Sequence, residues 1–172
     1  MVKTPDDKWL FAANYEGHLK QISLKSQQVV HDYGKIYDGP IFRLEISRDS
    51  KWLISGSGQH VKRISVENRE VDKGFGQVCD DYIKVMKITV DGEKLLVGDI
   101  EGNLILISAR DGKLIKHFGK VHENQITEIT ITSDQKFLFT SSISGVLKQW
   151  NYEDITLVKD HGKLGDIHIK SL

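Results

Sequence analysis

The residues best suited to chemistry lie in two short stretches, around Cys79 and around His122. Cys79 is followed by Asp80 and Asp81, and His122 is followed by Glu123. A cysteine with a histidine is a pair that nucleophilic catalysis uses, and neighbouring carboxylates are half of a carboxylate site. The sequence shows no third group to orient the pair and no oxyanion arrangement, so a catalytic site is not favoured.

The histidines do not form a metal-binding pattern. The chain has seven of them, and none shows the C-x-x-C or H-E-x-x-H spacing of a metal site. A G-x-G at residues 56–58 precedes a predicted strand instead of a helix, which argues against a phosphate-binding loop. We therefore expect no cofactor and no metal.

Charge and composition restrict the classes of partner. Lys plus Arg and Asp plus Glu number 24 each, so the formal net charge is zero. Nucleic-acid and anionic-membrane binding depend on excess positive charge, so neither partner is expected. A single cysteine excludes an intrachain disulfide, and no apolar secretory segment is visible at the N-terminus. No apolar run approaches the roughly 20 residues of a membrane span, and an intracellular, cytoplasmic protein is expected.

A repeated strand pattern must position these residues, and it is clearest at residues 133–151. A polar turn, a short apolar run, a turn at Gly145 and a returning strand follow one another there, which predicts a β-hairpin. The same order recurs three times earlier, and the lysine before the apolar run lies at positions 8, 51, 94 and 136. Steps of 43, 43 and 42 residues are typical of propeller blades with four strands each.

Two further strands complete each unit. The upstream strand opens with an isoleucine, at Ile41, Ile83, Ile126 and Ile169. The downstream strand ends in a ring-bearing residue before a glycine, at Tyr33, Phe75, Phe118 and His161; the regular recurrence of the first three favours a structural role. With the strands named a, b, c and d in chain order, each unit is predicted to be an antiparallel meander. The units are residues 1–35, 36–78, 79–120 and 121–163 of a single domain, with the start of a further strand a at residues 164–172.

The pattern resembles the WD40-repeat family over essentially the whole chain. In that family each blade has a histidine before strand a, a Ser or Thr in strand b, an Asp in the b–c turn and a Trp-Asp pair ending strand c. The last unit matches best: His122 stands at the histidine position, Ser142 at the strand-b hydroxyl, Ser144 at the turn Asp, and Trp150-Asn151 at the Trp-Asp pair. The resemblance implies an all-β, WD40-like propeller of about four blades.

The other units depart further from the family. The positions expected for the turn acid are Glu16, Gly58 and Glu101. The positions expected for the histidine are Asp38 in the second unit and Asp80 or Asp81 in the third. In the family these side chains form a buried hydrogen-bond network between blades. Because no unit keeps the full set, we expect apolar packing to replace it.

The phase of the repeat is nearly the same at residue 1 and at residue 172. Three arrangements are compatible with this: a fragment of a larger propeller, a half propeller that pairs with a second copy or another partner, and a small closed ring. A four-blade piece leaves two blade faces uncovered, which favours self-association or association with further blades.

The predicted recognition surface carries the d–a and b–c connections, which share one face because successive strands alternate in direction. Aromatic, charged and amide groups on rigidly held loops suit recognition. The expected contact residues are Tyr37, Asp38, Phe42, Asp80, Asp81, Tyr82, Lys84, His122, Glu123, Asn124 and Thr127. The alternative for Tyr37 and Tyr82 is that they pack beneath their own loops.

Two functions from different classes follow. The first is a non-catalytic scaffold that binds a peptide or protein partner through this face. The second is a propeller enzyme, or a propeller that binds a small ligand or metal, with a carboxylate and histidine site at the channel mouth. That site would use Asp38, Asp80, Asp81, His122 and Glu128.

Overall fold

The chain is built from short strands, as the computed structural model shows for residues 1–72 and 75–165. The strands are β1 (Val2–Lys3), β2 (Trp9–Ala13), β3 (His18–Ser23), β4 (Gln28–Lys35), β5 (Arg43–Ile46), β6 (Trp52–Ser57), β7 (His60–Ser65), β8 (Ile83–Ile88), β9 (Lys94–Asp99), β10 (Asn103–Ser108), β11 (Leu114–Lys120), β12 (Ile126–Ile131), β13 (Phe137–Ser142), β14 (Val146–Asn151) and β15 (Leu157–Lys163). Among the residues described, no helix is long and apolar enough to cross a membrane.

The strands form successive antiparallel sheets, each a meander in chain order. Strands β1 to β4, β8 to β11 and β12 to β15 form four-stranded sheets, and β5 to β7 form a three-stranded sheet. Each sheet lies within one of the predicted units. The prediction of an all-β propeller of about four blades is thus confirmed.

The second sheet differs from the prediction because its described part has no regular strand d. Strand β7 instead makes isolated bridges from His60 to Gln77 and from Ile64 to Val71. The sequence offers a reason at Asp72, which stands where the other units have Val30, Ile115 and Val158. An aspartate is a poor strand former, and Asp72 forms an ion pair with Arg63 at 2.5 Å.

The turns between strands a and b repeat one hydrogen-bond pattern. A hydroxyl donates to an aspartate two residues later at 2.5–2.6 Å. The same hydroxyl accepts from a backbone N–H five residues later at 2.9–3.1 Å. The hydroxyls belong to Thr4, Ser47, Thr89 and Thr132. This local pattern fixes the start of strand b at the same phase of each unit.

The sheets stack side by side in chain order. The first strands adjoin, since β1 contacts β5, β5 contacts β8 and β8 contacts β12. Between the sheets lie three clusters of buried apolar side chains, which include Phe11 with Leu53, Ile54 with Leu95, and Leu96 with Leu138. Strands β4, β11 and β15 lie at the outer sheet edges. The predicted further strand a at residues 164–172, with Ile169, falls outside the described residues except for Leu164 and Gly165.

Candidate functional site

The connection from each sheet to the next packs against the b–c turn of the sheet it leaves. Ile36 N donates to Gly17 O at 2.8 Å, and Val121 N donates to Gly102 O at 2.9 Å. Both kinds of loop therefore lie on one face, as the alternation of strand direction predicts. We call this surface the loop face. It comprises residues 14–17, 36–42, 58–59, 78–82, 100–102, 121–125 and 143–145.

A groove of about 520 Å³ lies on the loop face between the first two sheets. Phe42 and Tyr82 line it, with exposed fractions of 46% and 58%. Tyr15, which is 80% exposed, stands edge-on to Phe42 with the ring centroids 6.0 Å apart. The lysine, aspartate and histidine side chains of the groove are Lys35, Asp38, His60 and Lys62. We call it the aromatic groove, and its exposed rings beside charges of both signs suit contact with a polypeptide.

Tyr37 lies beneath the aromatic groove and is buried. Its hydroxyl donates to Ser55 O at 2.8 Å. Lys62 Nζ lies 4.6 Å from the centre of the Tyr37 ring and donates to Ile36 O. Burial raises the pKa of Tyr37 above its usual range, so the hydroxyl remains a donor. Packing beneath the loop therefore holds for Tyr37, whereas Tyr82 is exposed.

In the fourth sheet one buried hydroxyl joins a histidine to an indole. His122 Nε2 lies 2.8 Å from Thr140 Oγ1, and Trp150 Nε1 donates to the same oxygen at 2.9 Å. Burial, with Lys148 nearby, lowers the pKa of His122 to about 4, so the imidazole is neutral near pH 7. Within the described residues, Nδ1 of His122 has no hydrogen-bond partner. A neutral imidazole that is buried and hydrogen-bonded inside the sheet has a structural role.

The network corrects the expected position of the strand-b hydroxyl. The sequence reading placed it at Ser142, but the hydroxyl that bonds His122 and Trp150 belongs to Thr140. Ser142 lies two residues later on the same strand and bonds Ser144, Oγ to Oγ, at 2.9 Å. Ser144 thus pairs with Ser142 and not with Nδ1 of His122, which has no hydrogen-bond partner within the described residues.

The residue at the histidine position is also corrected in the second and third units. Tyr37, Cys79 and His122 follow one another at steps of 42 and 43 residues, and all three are buried. The expected positions, Asp38 and Asp80 or Asp81, lie one or two residues too late. The physical reason is the hydrogen bond of the preceding residue to the b–c turn, which directs the next side chain inward.

Cys79 is enclosed by the apolar cluster between the second and third sheets. Val97 of this cluster occupies the position that Thr140 has in the fourth sheet, so an apolar pair replaces a polar one. Burial, with the negative charge of Asp99 nearby, raises the pKa of Cys79 to about 12. A protonated, buried thiol is not an activated nucleophile.

In the first and third sheets, the b–c turn is held by the residue two positions before the predicted turn acid. Asp99 Oδ1 accepts from Glu101 N at 3.0 Å and from Asn103 N at 2.8 Å. Asn14 Oδ1 accepts from Glu16 N at 3.1 Å and from His18 N at 2.9 Å in the first sheet. Glu16 and Glu101, the expected turn acids, donate their backbone N–H groups to these caps, because an Asx side chain caps its own turn two residues on.

The predicted contact residues divide by exposure. Exposed on the loop face or beside it are Asp38, Phe42, Asp80, Tyr82, Glu123 and Asn124. Half-buried are Asp81, Lys84 and Thr127, and buried are Tyr37 and His122. The aromatic groove brings together Asp38, Phe42 and Tyr82, whereas Glu123 and Asn124 lie on the next connection.

Sequence reasoning did not select His60 and Lys62, although both line the aromatic groove. A signal for Lys62 was available, because Lys148 occupies the equivalent position in the fourth sheet. Lys148 Nζ donates to Val121 O at 2.8 Å, just as Lys62 donates to Ile36 O. Each of these strand-c lysines thus binds the backbone carbonyl of the residue just before the inward side chain.

The residues proposed for the enzyme or metal alternative do not converge. Within residues 1–72 and 75–165, no group of three or more His, Cys, Asp and Glu is placed to hold a metal ion. Asp38 pairs with Lys35 at 3.3 Å, and His122 is bonded inside the fourth sheet. This geometry does not favour the alternative.

Comparison with known proteins points to the same family as the repeat. The model of the WD40 family, described as WD domain, G-beta repeat, matches residues 112–151, from the turn before β11 to the end of β14. No curated protein matches the chain. The match and the repeated antiparallel sheets support assignment of the chain to the WD40-repeat family. WD40 repeats generally mediate protein–protein interaction and are typically non-catalytic scaffolds.

Proposed function

We propose that the chain is a non-catalytic scaffold that binds a peptide or protein partner through the loop face. The observation that carries this proposal is the aromatic groove. Phe42 and Tyr82 expose about half of their surface there. Exposed aromatic side chains in a concave surface are common anchors of protein interfaces.

The groove is held by backbone hydrogen bonds on both sides. Phe42 N donates to Gly56 O at 3.1 Å, and Ile100 N donates to Tyr82 O at 3.0 Å. Ile83 N donates to Gly58 O at 2.7 Å and so fixes the residue after Tyr82. Because the rings stand on loops that are already ordered, a partner would lose little of its binding free energy to ordering them.

The charges around the groove favour an uncharged or mixed polypeptide. Lys35 and Asp38 at its rim form an ion pair of 3.3 Å, and Lys62 is engaged with the loop carbonyl of Ile36. The rim therefore presents paired charges, and the two rings supply the apolar contact. We expect a partner segment that inserts an apolar or aromatic side chain between Phe42 and Tyr82.

A peptide selection tests this function. Peptides from a random display library would be selected on the purified chain, and their affinity would be measured by titration against Phe42→Ala and Tyr82→Ala variants. We expect each variant to weaken binding about tenfold or more, since loss of an aromatic anchor costs on the order of 2 kcal/mol. The matched control is Leu157→Ala, which also removes a side chain that is 50% exposed but lies on an outer strand.

The proposal is contradicted if the selected peptides bind both groove variants and the native chain with equal affinity. Thermal unfolding of each variant would show that the fold is kept, because neither ring belongs to an apolar cluster between sheets.

A further inference from the structure

The outer strands of the third and fourth sheets share one apolar pattern. Leu114 and Ile115 begin β11 with exposed fractions of 61% and 49%. Leu157 and Val158 begin β15 with exposed fractions of 50% and 52%. The two strands are therefore matched in exposed apolar surface, and they differ in charge.

An acid present on the other outer strands is missing from β11. On β15, Asp160 pairs with Lys148 of strand c at 3.4 Å, and on β4 Asp32 pairs with Lys20 at 3.2 Å. In the third sheet the acid is replaced by His117, and the lysine is replaced by the buried Ile105. The two replacements go together, because a carboxylate at position 117 would lie opposite the buried Ile105 and have no strand-c lysine to pair with.

The result is an outer strand on which every fully charged side chain is a cation. Strand β11 holds Lys116 and Lys120 and no acid, whereas β15 holds two lysines and Asp160. Just before β11, Arg110 adds a further cation, and the one acid of the turn, Asp111, pairs with Lys113 at 3.2 Å. Lys116 Nζ is placed 4.6 Å from the centre of the Phe118 ring, which holds this cation along the strand.

Two clefts border the same strand. Ile115 and Arg110 line a cleft of about 600 Å³ together with Lys94 and one acid, Glu93. Leu114 and His117 line another cleft of about 430 Å³ together with one acid, Asp80. The apolar side chains of a partner suit these clefts, and its carboxylates suit the lysines of the strand itself. Side chains that follow one another in a partner could enter both clefts while the backbone of the partner runs along β11.

We propose that this edge, which we call the basic edge and define by Arg110, Leu114, Ile115, Lys116 and Lys120, binds an extended acidic segment of a protein partner. Carboxylates of the segment pair with the cations, and its apolar side chains cover Leu114 and Ile115. The basic edge shares no residue with the aromatic groove, although its cleft beside Leu114 reaches residues 78–80 of the loop face. It is thus a second interaction surface of the chain.

The test uses two fluorescent peptides, one of alternating glutamate and leucine and one of alternating lysine and leucine, titrated by anisotropy into the full chain. We expect the glutamate peptide to bind more tightly and its affinity to fall with salt, because exposed charges are screened. Lys116→Glu should weaken it about fivefold or more, and Leu114→Ala about threefold. The matched variants on β15, Lys159→Glu and Leu157→Ala, should change it less than about twofold, and Phe42→Ala should leave it unchanged.

Four outcomes would overturn the proposal. The first is equal binding of the two peptides, or none by either. The second is equal weakening by Lys159→Glu and Lys116→Glu. The third is equal binding of a single-stranded oligonucleotide of the same charge, which would make the edge a general polyanion site. The fourth is a dimer in light scattering that Leu114→Ala disperses, which would make a second copy of the chain the occupant.

Discussion

At the scale of single residues, the most informative side chain is that of Thr140. It is fully buried, and its hydroxyl serves both His122 and Trp150. The equivalent residue is Ser55 in the second sheet, bonded to Tyr37, and Val97 in the third, packed near Cys79. The second, third and fourth sheets thus make the same contact with different pairs of side chains, and within each pair the two side chains match in polarity.

Replacement of Thr140 by valine should destabilise the chain markedly. Thr140→Val keeps the shape but leaves the indole N–H and the imidazole without their partner, and each buried unsatisfied group costs about 1–3 kcal/mol. We expect a loss of roughly 2–4 kcal/mol in the free energy of unfolding, measured with urea.

The control for this prediction is Ser142→Ala, which removes a hydroxyl that bonds the half-exposed Ser144 hydroxyl. We expect its cost to stay below about 1 kcal/mol. Equal costs for the two variants would mean that the hydroxyl of Thr140 does not hold the network.

At the scale of elements, one contact between strand c and the end of strand d is made by a different pair of side chains in each sheet, and the two members of each pair suit one another. Tyr33 Oη donates to Gln21 Oε1 at 3.2 Å, and His161 Nε2 lies 3.2 Å from Gln149 Oε1. In the second sheet the Arg63 guanidinium lies 5.5 Å from the centre of the Phe75 ring. The third sheet brings Leu106 and Phe118 into one apolar cluster. These contacts support the structural role inferred from the recurrence of Tyr33, Phe75 and Phe118.

The b–c turn of the third sheet should not tolerate a side chain at Gly102. This glycine has φ +91°, and a Cβ there would overlap the carbonyl oxygen of His122. We expect Gly102→Ala to lower the free energy of unfolding by more than about 3 kcal/mol. The added Cβ would clash with the backbone of His122, and moving that backbone away would break the hydrogen bond from Val121 N to Gly102 O.

Gly119→Ala separates this clash from backbone strain. Gly119 has φ +73° with no atom within 4 Å of the added Cβ, so it should lose only the about 1–2 kcal/mol of the left-handed conformation. If thermal melts show the same loss for both variants, close packing of the loop against the turn is not what requires the glycine.

The sequence predicted elements better than it predicted loops, for a physical reason. Strands alternate with period 2 and the units repeat at nearly constant steps, so sheet order and the shared loop face followed from pattern alone. The inward residue of each connection was placed too late, at Asp38 instead of Tyr37. Loops have no periodicity from which a side-chain direction could be predicted. In the first connection the hydrogen bond from Ile36 N to Gly17 O determines that the next side chain, Tyr37, turns inward.

At the scale of the whole molecule, apolar packing between sheets is the common feature. Three apolar clusters lie between the four sheets, whereas the histidine, hydroxyl and indole network occurs in the fourth sheet. The described sheets thus stack as in a WD40-like propeller, and the polar network is limited to the fourth sheet among them. Alternation of strand direction places the connections of each sheet on one face, and the stacking of the sheets brings these connections together. The proposed function requires this arrangement.

The measurement that tests the central claim most directly is amide chemical-shift mapping of a selected peptide on the isotopically labelled chain. If the loop face binds the partner, the largest shifts will fall on residues 36–42, 58–62 and 82–84, and Phe42→Ala will reduce them at the same peptide concentration. Largest shifts at the a–b turns on the opposite face, residues 91–94 and 133–136, would contradict it.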